Sequence, residues 1–439
     1  MRKAGSVRHA PPVISPAFRS LPLVSQNALP QPPLIQPPHA TAVSLASEHQ
    51  WLLSPEAGSF LENAVRDLRA NVNILKIVQR LRKQLAPPIA AVTLELAQLR
   101  LRASSKFSRA GEMFFTTRGY EQATSERLAQ FKSSLLPVGS NILDICCGIG
   151  GDLAGFASRH EATGLDLDPL MCEYARRNAA LHNRATPRVL CGDALEADWR
   201  GYDLIHVDPD RRHEQRTTDP RFIRPSLKQI LERAAGRPLA IKLAPATKLP
   251  DELKPRVHRE WLGEGRECKQ QLAWLNFAPR ATDRKSATLV RDDGSYVSVQ
   301  QSSIPARNVP RHCLDAADLE AFVYEPHSVV LAARLVDSLA NQNGLRRIAP
   351  GVAYLSGGAI EATPLLAAFK ILSVKPAEIR QVSAELKSLD AGLMEWKKRG
   401  IDLSLYETLK KIRTKGRRPL TAIVTPLGEQ IACLICERM

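Results

Sequence analysis

The sequence predicts a doubly wound α/β fold, in which helices cover both faces of a mostly parallel sheet. Five short apolar runs are separated by stretches with helical periodicity, at residues 142–145, 162–167, 189–191, 202–207 and 239–243. Strands that alternate with helices pair in parallel, and a ligand then binds at the carboxyl ends of the strands. The chain of 439 residues has room for further domains on either side of such a sheet.

The first run ends in a glycine-rich turn. Residues 141–152 read Asn-Ile-Leu-Asp-Ile-Cys-Cys-Gly-Ile-Gly-Gly-Asp, and a helical pattern follows. Gly148 and Gly150 let a ligand approach the backbone, and the N-terminus of the next helix favours polar or anionic groups. Asp166, near the end of the second run, has about the spacing from this turn at which an acidic side chain meets ribose hydroxyls. A dinucleotide-binding protein fits less well, because its fingerprint needs a glycine where this chain has Leu153.

On this turn the chain resembles the class I S-adenosylmethionine-dependent methyltransferases. The pattern Asp144-x-Cys146-x-Gly148-x-Gly150 is similar to the first motif of that family, with a cysteine where a glycine is more usual. The resemblance implies a Rossmann-like sheet of seven strands with a terminal antiparallel pair, and S-adenosylmethionine as the cofactor. It also implies that these four residues bind the cofactor, with the turn against its methionine part.

The same resemblance gives roles to acidic residues at the ends of later strands. Asp166 would hold the ribose hydroxyls of the cofactor, and Asp193 would accept from the adenine amino group. Asp208 and Pro209 stand where the family has its reaction-centre motif, so Asp208 would orient or deprotonate the acceptor with help from the carbonyl of Pro209. Methyl transfer is an in-line displacement, and the enzyme mainly aligns acceptor and methyl group.

The residues after Pro209 depart from the family pattern. Members that methylate nitrogen often have a second proline and an aromatic residue here, whereas this chain has Asp210 and Arg211, followed by Arg212. A guanidinium can stack on a base or pair with phosphate. We therefore expect Asp210, Arg211 and Arg212 to bind the acceptor, with the arginines on an RNA backbone; a strand-ending turn is the alternative.

Lys242 ends the fifth run and is expected near Asp208, across the point where the strand order reverses. It would be either a simple ion pair or, with a lowered pKa, an aid to deprotonating a hydroxyl. Ribose 2′-O-methyltransferases use such Lys and Asp groups, and Glu267 is a candidate further member. A ribose hydroxyl and a base nitrogen therefore both stay open as the acceptor.

Composition bounds the partners and the compartment. The net charge of +16 and the isoelectric point near 9.7 suggest a polyanionic partner, first of all nucleic acid; general solubility is the alternative. Eight scattered cysteines lack the spacing of a metal site, and Cys433 and Cys436 are predicted inside a strand. Reduced thiols predict a cytoplasmic protein. Without an apolar stretch of about 18 residues, no membrane span is expected, and the oligomeric state is not indicated.

The pattern divides the chain into five predicted regions. They are a Pro-rich disordered tail (1–45), a helical region (46–137), the methyltransferase domain (138–318), a connecting segment (319–363) and a small basic α+β domain (364–439). In the helical region, Pro87 and Pro88 are expected to break an apolar stripe. The polar residues 116–124 would either cap a helix or close over the cofactor.

The last region, including its Glu-Trp-Lys-Lys-Arg-Gly run at 395–400, resembles the THUMP-like domain that follows a methyltransferase domain in a family of uncharacterised bacterial proteins. THUMP domains deliver RNA to modification enzymes, so the resemblance implies an RNA methyltransferase. Two alternatives stay open. One is a methyltransferase of a small molecule or a protein, and the other is a non-enzymatic RNA-binding protein that keeps the methyltransferase fold.

Overall fold

The computed structural model describes residues 45–182, 187–211, 219, 223–280, 284–301 and 312–439. The predicted tail lies outside these ranges except for its last residue, and so does Arg212. Six helices come first: α1 (Ser47–Leu52), α2 (Ala57–Arg69), α3 (Ile74–Arg82), α4 (Pro87–Ala103), α5 (Thr117–Gln122) and α6 (Glu126–Ser134).

The apolar stripe of the helical region is interrupted earlier than the sequence suggested. Asn71 has a left-handed backbone with φ of +54°, and the side chain of Asn73 caps α3 by accepting from the backbone N–H of Leu75 at 2.9 Å. Pro87 and Pro88 begin α4, because proline fits the first helical positions, where its missing N–H would have no partner.

A sheet of nine strands forms the centre of the molecule. Its strands are β1 (Asn141–Ile145), β2 (Glu161–Asp166), β3 (Arg188–Cys191), β4 (Leu204–Val207), β7 (Leu239–Leu243), β8 (His258–Glu264), β9 (Glu267–Leu275), β10 (Arg284–Val290) and β11 (Tyr296–Gln300). The helices between them are α7 (Gly151–Ala157), α8 (Pro169–Ala180) and α9 (Leu227–Ala234), and a short 3-10 helix covers Asp251–Arg256. A separate ribbon pairs β5 (Asp210–Arg211) with β6 (Ile223–Arg224).

The strand order is β11-β10-β8-β9-β7-β4-β1-β2-β3. Strands β1, β2, β3, β4 and β7 are parallel, and β9 runs antiparallel between β7 and β8. The α/β prediction is confirmed, and the sheet has two more strands than the expected seven. Strand β10 pairs with β8, and β11 extends the sheet beyond β10, so neither β8 nor β9 lies at an edge.

Buried apolar side chains stabilise the central strands of the sheet. Every residue of β4 is buried, as are four of the five in β1, and their side chains pack against α9 and β7. Fully burying one such aliphatic side chain contributes about 1.5–3 kcal/mol. The carboxyl ends of β1, β2, β4 and β7 therefore form a rigid edge on which side chains can be held in fixed positions.

A second sheet of seven strands follows. Its strands are β12 (Phe322–Pro326), β13 (Arg346–Arg347), β14 (Leu355–Gly357), β15 (Leu366–Pro376), β16 (Ala391–Lys398), β17 (Arg418–Leu427) and β18 (Gln430–Arg438), in the order β13-β14-β12-β15-β18-β17-β16. Its helices are α10 (Ser328–Ala333), α11 (Val336–Asn343), α12 (Ile379–Ser388) and α13 (Leu403–Lys410), with a 3-10 turn at Ala316–Asp318. The segment predicted as a connection thus contributes β12, β13 and β14 to this sheet.

A left-handed residue divides the helical segment that follows β12. Arg334 has φ of +57° and separates α10 from α11, and Gly344 ends α11 with φ of +65°. Cys433 and Cys436 lie fully buried inside β18, as predicted, and burial raises the pKa of each thiol to about 12. No helix within the described ranges is long and apolar enough to cross a membrane.

Candidate active site

The turn between β1 and α7 approaches its neighbours so closely that it needs glycine. Cys146, Gly148 and Gly150 have φ of +57°, +53° and +84°. A Cβ on Gly150 would lie 2.9 Å from the Cα of Ala175 in α8, whereas a Cβ on Gly148 would meet no atom within 4 Å. Gly150 therefore lets α8 pack against the turn, and Gly148 leaves one face of the turn open.

Gly150→Ala is expected to lower the free energy of unfolding by about 2–3 kcal/mol, because it adds a backbone contact to the strain of a left-handed alanine. Gly139→Ala is the matched control, since Gly139 has φ of +83° with open space around its Cβ position. We expect about 1 kcal/mol there. Urea denaturation measures both, and equal losses would contradict the packing role of Gly150.

Asp166 lies beside this turn at the end of β2. Its carboxylate accepts from the backbone N–H of Gly148 at 2.8 Å and from that of Asp168 at 3.0 Å. Burial raises the pKa of this carboxyl and outweighs the backbone N–H donors, which lower it. A carboxylate has about four acceptor positions, so the contacts with Gly148 and Asp168 leave it able to accept from a hydroxyl group.

Two further residues stand near this carboxylate. Leu167 follows Asp166 and is 61% exposed, which is unusual for a large apolar side chain after a strand of the central sheet; the sequence reasoning missed it. Asp193 follows the neighbouring strand β3, is exposed, and accepts from the backbone N–H of Leu195 at 2.8 Å. The ends of β2 and β3 thus present a carboxylate, an apolar surface and a second carboxylate.

Asp208 and Lys242 are brought together at the ends of β4 and β7, as the strand positions suggested. The Nζ of Lys242 donates to the carboxylate of Asp208 at 2.6 Å and to the carbonyl of Gln122 at 3.1 Å. Burial acts to lower the pKa of Lys242, but the nearby carboxylates of Asp208, Asp152 and Asp144 raise it further than burial lowers it.

Of the two roles expected for Lys242, the ion pair is the one that this geometry favours. A lysine whose pKa is raised stays an ammonium at neutral pH, and its contact holds the carboxylate of Asp208 in place. Glu267 is exposed and pairs with Lys269, so the structure does not bring it to this pair. Asp208 itself is 30% exposed and is the carboxylate that faces the strand edge.

The residues that follow Asp208 continue from the edge of the central sheet into the short ribbon formed by β5 and β6. Pro209 is buried, and Asp210 accepts from the Nη2 of Arg118 with both carboxylate oxygens at 2.7 Å. The backbone of Arg211 pairs with Ile223 across the ribbon. Arg212 lies outside the described residues. The sequence did not single out Arg118, which comes from α5 in the helical region.

A buried polar network lies directly beneath the turn. Asp144 is 1% exposed, and its carboxylate contacts Nδ1 of His206 at 2.7 Å. The Nε2 of His206 lies 3.3 Å from the Nζ of Lys132, which forms an ion pair with Asp152 in the first turn of α7. Thr124 donates to Asp152 at 2.7 Å.

The side chain of Asp144 lies in this network, where it supports the turn from below. A contact of Asp144 with the cofactor stays a prediction. Although burial opposes it, the charge of Lys132 holds the pKa of Asp152 well below its ordinary value, while burial lowers the pKa of Lys132. His206 and Asp152 were detectable as polar residues in apolar surroundings, at 204–207 and 149–153.

The segment 116–124 both caps a helix and packs on the turn. Thr116 caps α5 by accepting from the N–H of Gly119 at 3.0 Å, and a Cβ on Gly119 would lie 2.5 Å from the Cγ2 of Ile149. Asn178, fully buried in α8, donates to the carbonyl of Ile149 at 2.9 Å. The turn is thus fixed from α5 and α8 together.

These features define a class of protein. The strand order with an inserted antiparallel strand, the glycine turn, and the acidic residues at the ends of β2, β3 and β4 are those of a class I methyltransferase. S-adenosylmethionine fits this edge, because Gly148 opens one face of the turn, Asp166 keeps acceptor positions and Leu167 offers an apolar surface. Among the residues that the structure describes, no cluster of His, Cys, Asp or Glu could hold a metal ion.

Comparison with known proteins agrees with this class. Residues 142–223 match a methyltransferase domain, and residues 366–438 match a THUMP domain-like family. The chain is 26% identical over 362 residues to an uncharacterised S-adenosylmethionine-dependent methyltransferase of Mycobacterium tuberculosis, covering 76% of this chain and 92% of the relative. The protein is an S-adenosylmethionine-dependent methyltransferase with a C-terminal THUMP-like domain.

A solved structure has the same fold over most of the chain. The crystal structure of a protein from Porphyromonas gingivalis W83, described as a methyltransferase, superposes with a TM-score of 0.70 at 19% identity. The match covers 88% of this chain and 98% of that one. The likeness therefore extends over both sheets, so the arrangement of methyltransferase sheet and C-terminal sheet is not peculiar to this chain.

Proposed function

We propose that the protein transfers the methyl group of S-adenosylmethionine to RNA. The observation that carries the proposal is a set of exposed basic residues in the THUMP-like region. The set consists of Lys410, Lys411, Arg413 and Lys415. None of these residues forms an ion pair with another residue in the described part of the chain. Other basic residues nearby are neutralised, for example Lys397 by Glu325 at 2.8 Å and Arg417 by Asp390 at 2.9 Å.

This uneven pairing supports a polyanionic partner. If the basic residues of the THUMP-like region served only general solubility, this stretch would not be expected to stay uncompensated beside basic neighbours that are paired. Unpaired lysines and arginines on one surface attract phosphates and release their counterions, which gives RNA binding a strong dependence on salt. The net charge of +16 points the same way.

The roles of the site residues are part of the proposal, and they rest on the family resemblance together with the positions of these residues at the strand ends. Asp166 would accept from the ribose hydroxyls of the cofactor, Asp193 from its adenine amino group, and Leu167 would pack on the adenine ring. The cofactor supplies an electrophilic methyl group when bound. Asp208 would orient the acceptor, whether a base nitrogen or a ribose hydroxyl, and Lys242 would hold its carboxylate in place.

The test is transfer of tritiated methyl groups from S-adenosylmethionine to separated fractions of a bacterial extract: small RNA, protein and small molecules. We expect label in RNA. Label confined to protein or to small molecules would contradict the proposal and support the corresponding alternative. Deletion of 364–439 is a poor test, because β12 pairs with β15 and would lose its neighbour.

Alanine at all four unpaired positions is expected to lower kcat/KM for RNA at least tenfold and to flatten its dependence on salt. The matched control replaces four exposed basic residues of the helical region: Arg69, Lys76, Arg82 and Lys83. Assays of kcat/KM at several salt concentrations compare the two variants. A loss of kcat/KM confined to the variant of the helical region would place the RNA-binding surface there. It would contradict the role proposed for the THUMP-like region.

A further inference from the structure

Helix α5 connects the cofactor turn with the acceptor edge. It is anchored to α4 by the hydroxyl of Thr117, which donates to the carboxylate of Glu95 at 2.6 Å. Its middle lies against Ile149 of the turn, where Gly119 leaves no room for a larger residue. The backbone of α5 is therefore held on one side by the helical region and on the other by the turn.

Both ends of α5 contact the acceptor edge. Near its first turn, Arg118 donates to Asp210 with two contacts of 2.7 Å. At its last residue, the carbonyl of Gln122 accepts from Lys242, and Lys242 donates to Asp208. One guanidinium thus stands beside the residues that follow Asp208, on a helix whose backbone is fixed.

The pair between Arg118 and Asp210 can open at little cost. The side chains are 65% and 38% exposed, and ion pairs this exposed contribute little to stability. A phosphate carries more accepting oxygens than Asp210 presents, and it can accept two parallel N–H bonds from the planar guanidinium, whereas only the Nη2 of Arg118 contacts Asp210. A phosphate that arrives next to the acceptor atom would therefore exchange with Asp210 on Arg118.

We propose that Arg118 is a substrate-binding residue that contacts the RNA phosphate beside the acceptor nucleotide and so positions that nucleotide, and that Asp210 holds its guanidinium ready until RNA arrives. The inference rests on the proposed function. It assigns to Asp210 the part of a competitor for Arg118 rather than of a direct contact with RNA. It also explains why an acidic residue directly precedes Arg211 and Arg212, where a direct contact of its carboxylate with RNA would repel the phosphates.

The test measures methyl transfer to small RNA by Arg118→Ala, Arg118→Lys and Asp210→Asn in the full chain. Arg118→Ala is expected to raise KM for RNA about tenfold, to leave the dissociation constant of S-adenosylmethionine unchanged, and to reduce the slope of log kcat/KM against log salt by about 0.7. Arg118→Lys should show a smaller rise in KM, because lysine keeps the charge without the fork. Asp210→Asn should lower KM, because the competitor is gone.

Arg200→Ala is the matched control. Arg200 pairs with Asp198 at 2.7 Å and is 75% exposed, but this pair precedes β4 and lies at the opposite end of the strand from Asp208. It should change none of these quantities. An Arg118→Ala variant with unchanged KM and salt slope, or with an equally weakened cofactor, overturns the inference while the RNA assignment stands.

Binding of a short fluorescein-labelled oligouridylate in the presence of S-adenosylhomocysteine separates the two failures. If the intact protein methylates no RNA, the proposed function fails. The inference then survives only if Arg118→Ala weakens oligouridylate binding about tenfold while Arg200→Ala leaves it unchanged. Any other result overturns it as well. Thermal denaturation of each variant shows whether the fold is retained, and an exposed pair predicts melting temperatures close to that of the intact protein.

Discussion

Methionine in place of Lys132 is expected to lower the free energy of unfolding by about 3–5 kcal/mol, the usual cost of removing one partner of a buried ion pair. Lys132 is fully buried and pairs with Asp152, which is 5% exposed. Methionine keeps the volume of the side chain and removes its charge. Asp152 is then left as an uncompensated carboxylate beneath the turn, close to Asp144, which is also buried.

The measurement is urea denaturation at neutral pH. Lys76→Met is the control, because Lys76 is exposed on α3 and should change stability by less than about 0.5 kcal/mol. Because Asp152 belongs to the helix that starts at the glycine turn, the Lys132 variant should also bind S-adenosylmethionine more weakly. A loss of stability under about 1 kcal/mol would mean that the network does not carry the charges assigned to it.

Asparagine in place of Asp208 is expected to reduce the rate of methyl transfer about 10²–10⁴-fold, the usual size of a general acid–base contribution. Asparagine keeps the shape of the side chain and removes the charge that orients or deprotonates the acceptor. Lys242 would keep its contact with the carbonyl of Gln122, so the strand edge should stay in place. The affinity for S-adenosylmethionine should be unchanged, because the cofactor residues lie on β1, β2 and β3.

Single-turnover transfer to RNA and calorimetric binding of the cofactor measure these two quantities. Asp203→Asn is the control, because Asp203 stands just before β4, at the far end of the strand from Asp208. Turnover retained by the Asp208 variant would contradict the assignment of the acceptor edge. Loss of cofactor affinity together with turnover would show that Asp208 supports the site rather than acting on the acceptor.

Much of the methyltransferase sheet could be predicted from local sequence. The runs that became β1, β2, β3, β4 and β7 are short, apolar and bounded by turn residues, and each ends in the residue types that a ligand edge needs. The paired side chains Asp208 and Lys242 followed from the strand order alone, because the ends of neighbouring parallel strands lie together.

The other features of the fold and of the site depend on contacts between residues that are far apart in the sequence. Strand β12 was assigned to a connecting segment, because its pairing with β15 could not be identified from the pattern of either strand. Lys132 lies in a short helix whose sequence suggests that its basic residues face solvent. The fold instead buries Lys132 against Asp152, which comes from a different helix. Arg118 was a polar residue in a capping segment until the fold placed it beside Asp210.

The central claim is that S-adenosylmethionine binds at the ends of β1 and β2, and calorimetric titration of the cofactor into the full-length protein tests it most directly. The intact protein should bind in the micromolar range, and Asp166→Ala should bind at least tenfold more weakly, because the ribose hydroxyls lose their acceptor. No binding by the intact protein, or equal affinity of the variant, would contradict the account of this site.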